Sequence, residues 1–140
     1  LYNRTYDKAV ALAEQVPVEW HVEAISSLAS VGARADHAQL RVVVSNVQAA
    51  ATSLSPEQGA DIVLPKELLP AQSGVAIDMA YGVEHTPLLV LAQMHGWHTV
   101  RGIDILLSQA YRQFRLWTQL PPPCAAIEHE VLPAYAASLP

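Results

Sequence analysis

The stretch Gly74-Val75-Ala76-Ile77-Asp78-Met79-Ala80, followed after a short loop by His85-Thr86-Pro87-Leu88-Leu89, decides the fold. Its first half is nearly continuous in apolar residues, the pattern of a strand buried in a parallel sheet. Its second half is a helix start. Thr86 offers a side-chain oxygen to the first free amides, and Pro87 suits the first helical position, where a missing N–H costs nothing. The helix reads to about His95 and is closed by Gly96. Strand, loop and helix in this order, with no two-residue hairpin signal along the chain, give a βαβ unit.

The same alternation continues outward. Downstream, Trp97 to Val100 reads as a short strand, and Ile103, Leu106, Leu107, Ala110, Phe114 and Trp117 share one face of a long helix. Pro121-Pro122-Pro123 breaks that helix, and a last one is expected over about Ala125 to Ala136, with Pro133 shortening it. Upstream, Leu40-Arg41-Val42-Val43-Val44-Ser45 is the clearest strand, β-branched and expected to be covered on both faces. Gln48 to Ala60 reads as a long loop in which Pro56 starts at most a short helix, and Lys66-Glu67-Leu68-Leu69 as a helical turn. At the start, Leu1-Tyr2 ends a strand and Asn3-Arg4-Thr5 forms a turn and cap. A helix then runs from Tyr6 through Ala9, Val10, Leu12, Ala13 and Val16 until Pro17 stops it. Val18 to Ala24 reads as a short strand or extended link, and Ser26 to Ala29 as a helical turn. The expected class is α/β: an incomplete Rossmann-like parallel sheet with helices on both faces. Residues 1–120 form one unit, and residues 121–140 the proline-rich break and C-terminal helix.

Composition removes several classes of function. Of 140 residues, 51% are hydrophobic and 15% charged, too apolar for a disordered tail. The formal charge is −5 and the eight Lys and Arg residues are scattered, so no nucleic-acid surface is expected. One cysteine, Cys124, excludes an internal disulfide framework and a thiolate-rich zinc site. No apolar run approaches ~20 residues, so no membrane partner is expected either. The first residues read as the tail of a strand without an initiator Met, and the chain is read as a piece of a larger protein.

Three places carry candidate chemistry. Arg4 and Lys8 stand where the second strand of a dinucleotide-binding fold ends; an Arg there accommodates a 2′-phosphate, and the amides beside Thr5 add donors. The same residues also read as an ordinary capped helix with solvated cations. Met79 and Tyr81 follow the carboxyl end of a buried strand, where ligands lie in open parallel sheets, and equally suit core and rim packing. Gly102 lets backbone approach a flat ring and Gln109, two turns on, presents an amide; the plainer reading is a turn glycine and a surface glutamine. His95 and His98 straddle Gly96 with no carboxylate close by, so no metal site is expected. Cys124 lacks an orienting group and reads as an inert thiol.

In order, these segments resemble the C-terminal part of the shikimate dehydrogenase family. Asn3-Arg4-Thr5-Tyr6-Asp7-Lys8-Ala9 resembles its NADP-selecting segment. Asp78-Met79-Ala80-Tyr81 with Glu84-His85-Thr86-Pro87-Leu88-Leu89 resembles its late signature, and Gly102 to Gln109 running on to Thr118 its closing helix. His95-Gly96-Trp97-His98-Thr99 and Ile103-Asp104-Ile105 lean toward the fungal branch, which includes the last domain of the pentafunctional arom polypeptide and its regulatory relative, the quinate repressor.

The resemblance implies NADP as cofactor and reduction of 3-dehydroshikimate to shikimate in aromatic amino-acid biosynthesis. It implies that Asn3, Arg4, Thr5 and Lys8 hold the adenosine phosphate, that Met79 and Gly102 lie against the nicotinamide, and that Tyr81 and Gln109 touch shikimate. The family's catalytic Lys and Asp belong to an N-terminal substrate domain, and its Gly-rich loop precedes this segment, so no catalytic residue is assigned here. Where the family has Thr and Pro after the strand at Val42 to Val44, this sequence has Asn46 and Gln48. That departure admits an alternative: a non-catalytic regulatory homologue of the quinate repressor type, binding a pathway metabolite or a protein partner. The implied location is cytoplasmic, or nuclear for a regulator.

Overall fold

The computed structural model describes residues 1–139, the side chain of Gln58 excepted. Its centre is a three-stranded, wholly parallel sheet. β1 is Val42–Ser45, and two later strands complete the sheet: β4, Val75–Asp78, pairs with β1 on one side and with β5, His98–Val100, on the other. The register sets Val43 beside Ala76 and Thr99, so these three share one face. A second parallel pair joins β2, Thr52–Ser53, to β3, Ile62–Val63. Four helices complete the order: α1 Tyr6–Ala13, α2 Pro87–Met94, α3 Gly102–Thr118 and α4 Cys124–Ser138.

The core lies between α2 and the Ala76 face of the sheet. Leu88, Leu89, Leu91 and Ala92 from α2 cluster with Ala76, Trp97, Ile62, Leu64, Leu68 and Leu69. α2 forms as its sequence dictates: the Thr86 hydroxyl accepts from the Leu89 amide at 3.4 Å, Pro87 opens the helix, and Gly96 leaves it at φ +71°. The buried Trp97 ring donates from Nε1 to the Pro70 carbonyl at 3.0 Å. A side chain at Gly74 would run into that ring and the Arg41 carbonyl, which is why glycine precedes β4.

Several sequence expectations change. Val42 and Val44 are 54% and 60% exposed, so β1 is covered on the Val43 face alone and not on both. Among the described residues no layer packs over them. The 48–60 stretch is not all loop, because Thr52 and Ser53 pair with Ile62 and Val63. Tyr2 bridges in parallel to Ile25, one residue beyond the expected strand, while Val18–Trp20 is a 3-10 turn ended by His21 in the left-handed region. α1 stops at Ala13, four residues before Pro17. Pro133 sits inside α4 and does not shorten it, since the helix runs past the expected Ala136 to Ser138. No helix among the described residues is long and apolar enough to cross a membrane.

Candidate functional site

In a parallel sheet the strands end together, and their last carbonyls and the loops beyond them face one crevice. Here β1 ends at Ser45 and β4 at Asp78, and the loops Asn46–Gln48 and Met79–Tyr81 follow. Two open clefts lie along this edge. One, of about 370 Å³, is lined by Asn3, Arg4, Thr5 and Lys8 on one wall and by Asn46 to Gln48 on the other, with Asp61 at its rim. The second, of about 490 Å³, is lined by the same Asn46 to Gln48 and by Met79, Ala80 and Tyr81. Both are lined by Asn46 to Gln48, so the two clefts adjoin at that loop and together make up a trough along the sheet edge.

The first cleft is built from a turn and a helix start. Asn3 Oδ1 accepts from the Thr5 amide at 2.9 Å and fixes the turn, while the Thr5 hydroxyl makes no capping bond. Ala9 is buried and anchors α1, leaving Arg4 and Lys8 exposed toward the trough. The Arg4 guanidinium pairs with the Asp61 carboxylate across the mouth, 57 residues away in sequence. Two cations near a helix start are the donor set that suits a phosphate dianion.

The second cleft rests on buried polar atoms. Asp78 is 1% exposed and Thr86 is fully buried. The Thr86 hydroxyl donates to Asp78 Oδ2 at 2.7 Å, and the Ala80 amide donates to Asp78 Oδ1 at 3.1 Å. One carboxylate therefore shapes the turn carrying Met79 to Tyr81 and ties it to the first turn of α2. Met79 is also held by its amide, which donates to the Ser45 carbonyl at 2.8 Å. Met79 is 36% and Tyr81 68% exposed, so both side chains reach the trough.

Gly102 lies directly beneath this turn. A Cβ there would meet the Ala80 carbonyl oxygen at 2.5 Å and the Met79 carbonyl oxygen at 2.7 Å, so α3 starts against the loop only because residue 102 is glycine. Arg101 and Asp104 close the helix start in a reciprocal cap, and Arg101 reaches Glu84 at 3.7 Å. The bonded Arg101 guanidinium holds the Asp104 carboxyl below its ordinary range. Gln109 is exposed on α3 and lines neither cleft. The structure thus brings Asn3, Arg4, Thr5 and Lys8 together, sets Met79 and Tyr81 in the adjoining cleft over Gly102, and leaves Gln109 about 10 Å further along α3. Among the described residues no three His, Cys, Asp or Glu side chains are grouped to hold a metal ion.

The profile of a family described as Shikimate 5'-dehydrogenase C-terminal domain matches residues 102–132. A pentafunctional AROM polypeptide of Malassezia globosa is 63% identical over 139 residues, 99% of this chain and 8% of that polypeptide. The chain is thus similar to the C-terminal part of shikimate dehydrogenases and to a stretch of the fungal AROM polypeptide. A shikimate dehydrogenase (NADP(+)) of Chromohalobacter salexigens is 35% identical over 125 residues, 89% of this chain and 41% of its own length. The crystal structure of the Thermus thermophilus shikimate 5-dehydrogenase in complex with NADP(H) and shikimate superposes with a TM-score of 0.65. It is 31% identical and covers 99% of this chain and 45% of that one. The chain therefore spans less than half the length of these relatives.

Three features of this site arise from the fold more than from any local sequence pattern. Asp61 sits in a stretch read as leading out of a loop, and no local pattern announces a partner 57 residues upstream. In sequence Asn46 and Gln48 stand out only as a departure from the family pattern, yet with Val47 they form the wall common to both clefts. The Asp78–Thr86 bond was hidden in plain view, since both residues lie in the late signature and a buried carboxylate needs a partner. The profile match also carries the family across Pro121 to Pro123 and into α4.

Proposed function

We propose that this chain is the cofactor-binding part of an NADP-dependent shikimate dehydrogenase that reduces 3-dehydroshikimate to shikimate. The observation that carries it is the trough at the carboxyl edge of the sheet, cationic at Arg4 and Lys8 and apolar at Met79. The residues fit the cofactor: Arg4 and Lys8 take the adenosine 2′-phosphate with Asn3 and Thr5 fixing their turn, and Met79 and Gly102 mark the nicotinamide end. When bound, the nicotinamide supplies the hydride. This chain's own work is to bind and orient, with Tyr81 and Gln109 hydrogen-bonding shikimate hydroxyls.

Proton transfer at the substrate falls to the N-terminal domain, which also completes the shikimate site. Residues 1–120 act as the cofactor unit and residues 121–140 as its helical extension. The setting is a cytoplasmic multifunctional polypeptide like that of Malassezia globosa. The enzymatic names of the matched relatives favour this reading over a regulator.

The test is cofactor choice in the full-length protein. NADPH should support turnover far better than NADH. Arg4→Ala should raise the KM for NADPH about tenfold or more, since a charge-assisted contact is worth about 1.5–3 kcal/mol, and should leave NADH nearly unchanged. Equal losses with both cofactors would reduce Arg4 to a structural residue and overturn the assignment.

A further inference from the structure

The first cleft contains one carboxylate among its lining residues, Asp61, and it stands on the guanidinium assigned to the 2′-phosphate. We propose that Asp61 sets the degree of cofactor discrimination: it occupies Arg4 in the empty cleft and disfavours a 2′-phosphate relative to a 2′-hydroxyl. The inference rests on reading this cleft as the adenosine 2′-phosphate site.

Asp61 is held in place by the fold. It directly precedes β3, whose Ile62 is buried at 7% and pairs with Thr52. Arg4 is carried by a different part of the chain, between the Tyr2–Ile25 bridge and α1. Two independently anchored segments thus present opposite charges across one opening. The pair is 65% and 53% exposed, so water screens it and an incoming anion exchanges for it readily.

Exchange does not remove the carboxylate. Asp61 remains at the rim, where a phosphate dianion on Arg4 meets a like charge. Lys8, which has no carboxylate within ion-pair distance among the described residues, offsets that repulsion in part. A ribose bearing a free 2′-hydroxyl meets no repulsion, and a carboxylate at this edge accepts its proton in a hydrogen bond. Both effects act in one direction: Asp61 narrows the preference for the phosphorylated ligand.

The experiment is calorimetric titration of the full-length protein with adenosine 2′,5′-bisphosphate and with 5′-AMP. Asp61→Asn keeps the shape of this exposed residue and removes its charge. It should tighten the bisphosphate about three- to tenfold and leave AMP unchanged or slightly weaker. In an Arg4→Ala background the gain should fall to less than half, because the competition for Arg4 is gone. Unchanged or weaker bisphosphate binding in Asp61→Asn, with Arg4→Ala still damaging, sinks the proposal and leaves the phosphate reading intact. Equal tightening of both probes sinks it too, since the effect is then not at the 2′ position. If Arg4→Ala changes neither probe, the phosphate does not sit here and both ideas fall.

Discussion

The two ends of the trough are built on opposite principles. At the Arg4 end the functional groups are exposed charges brought from distant parts of the chain, and they touch one another through a screened ion pair. At the Met79 end the exposed side chains stand on a buried scaffold: Asp78 bonded to Thr86 and Ala80, with Gly102 pressed against the same loop. The first end rests on exposed, screened charges, so on the proposed function selectivity can be tuned there at little cost in stability. The second end is less forgiving, because its geometry depends on the buried Asp78 and Thr86 side chains and on the close approach at Gly102.

The sharpest way to break that contrast is to cut the buried scaffold. Asp78→Ala leaves the part-buried Ala80 amide and the buried Thr86 hydroxyl without their partner. Each such orphan costs about 1–3 kcal/mol, so the local loss should be on the order of 2–6 kcal/mol. Gly102→Ala drives a methyl into the Ala80 carbonyl and should cost about 1–3 kcal/mol through displacement of α3. Hydrogen exchange of the β4, α2 and α3 amides in the full-length protein reads both. Arg4→Ala in the same measurement should change protection by less than about twofold, as exposed ion pairs are worth little. Comparable losses at the two ends would erase the distinction.

How legible the molecule was in sequence follows the same divide between local and distant. The Thr86-Pro87 start of α2 was readable because a cap and its amides lie within four residues. The valines of β1 announced a strand, but a run of valines says nothing about whether a second layer of structure exists to cover it, and Val42 and Val44 stand exposed. β2 was invisible: two residues have no periodicity, and Thr52 and Ser53 are a strand only because Ile62 is held by the core beside them. Gly102 was readable as a point of close approach, whereas the group that approaches it, the Ala80 carbonyl, required the fold. Asp61 carried no signal at all. Ion pairs between segments 57 residues apart are a product of topology, and topology is what a single sequence states least directly.

The proposed substrate contacts give a finer test, because Tyr81 lines the second cleft and Gln109, exposed on α3, does not. In the full-length protein Tyr81→Phe and Gln109→Ala should each weaken shikimate by about five- to tenfold, the worth of roughly 1 kcal/mol per neutral hydrogen bond, while shifting melting temperature little. Titration calorimetry with a parallel melt separates binding from stability. Unaltered shikimate affinity in both variants would end the substrate assignment, and a loss at Tyr81 alone would confine it to the cleft.

The smallest expected effect lies where the loop after β4 meets α3, at Arg101 and Asp104. The Asp104 carboxylate accepts from the Arg101 amide at 3.1 Å and from its guanidinium at 2.9 Å, and that guanidinium lies 3.7 Å from Glu84 in the loop after Tyr81. Hydrogen bonding to Arg101 lowers the folded-state pKa of Asp104, so its contribution is fully present above the unfolded value near 4. The contribution disappears as pH falls through the lower folded value. Both side chains are more than a third exposed, and screening limits the gain to under about 1 kcal/mol. Asp104→Asn preserves an acceptor for the Arg101 amide and removes the charge. Near neutral pH it should speed exchange of the first-turn α3 amides by less than about fivefold. The difference from wild type should shrink at about 1 M salt and vanish once the wild-type carboxyl is protonated. A difference that persists at low pH would mean that Asp104 holds α3 by shape rather than by charge.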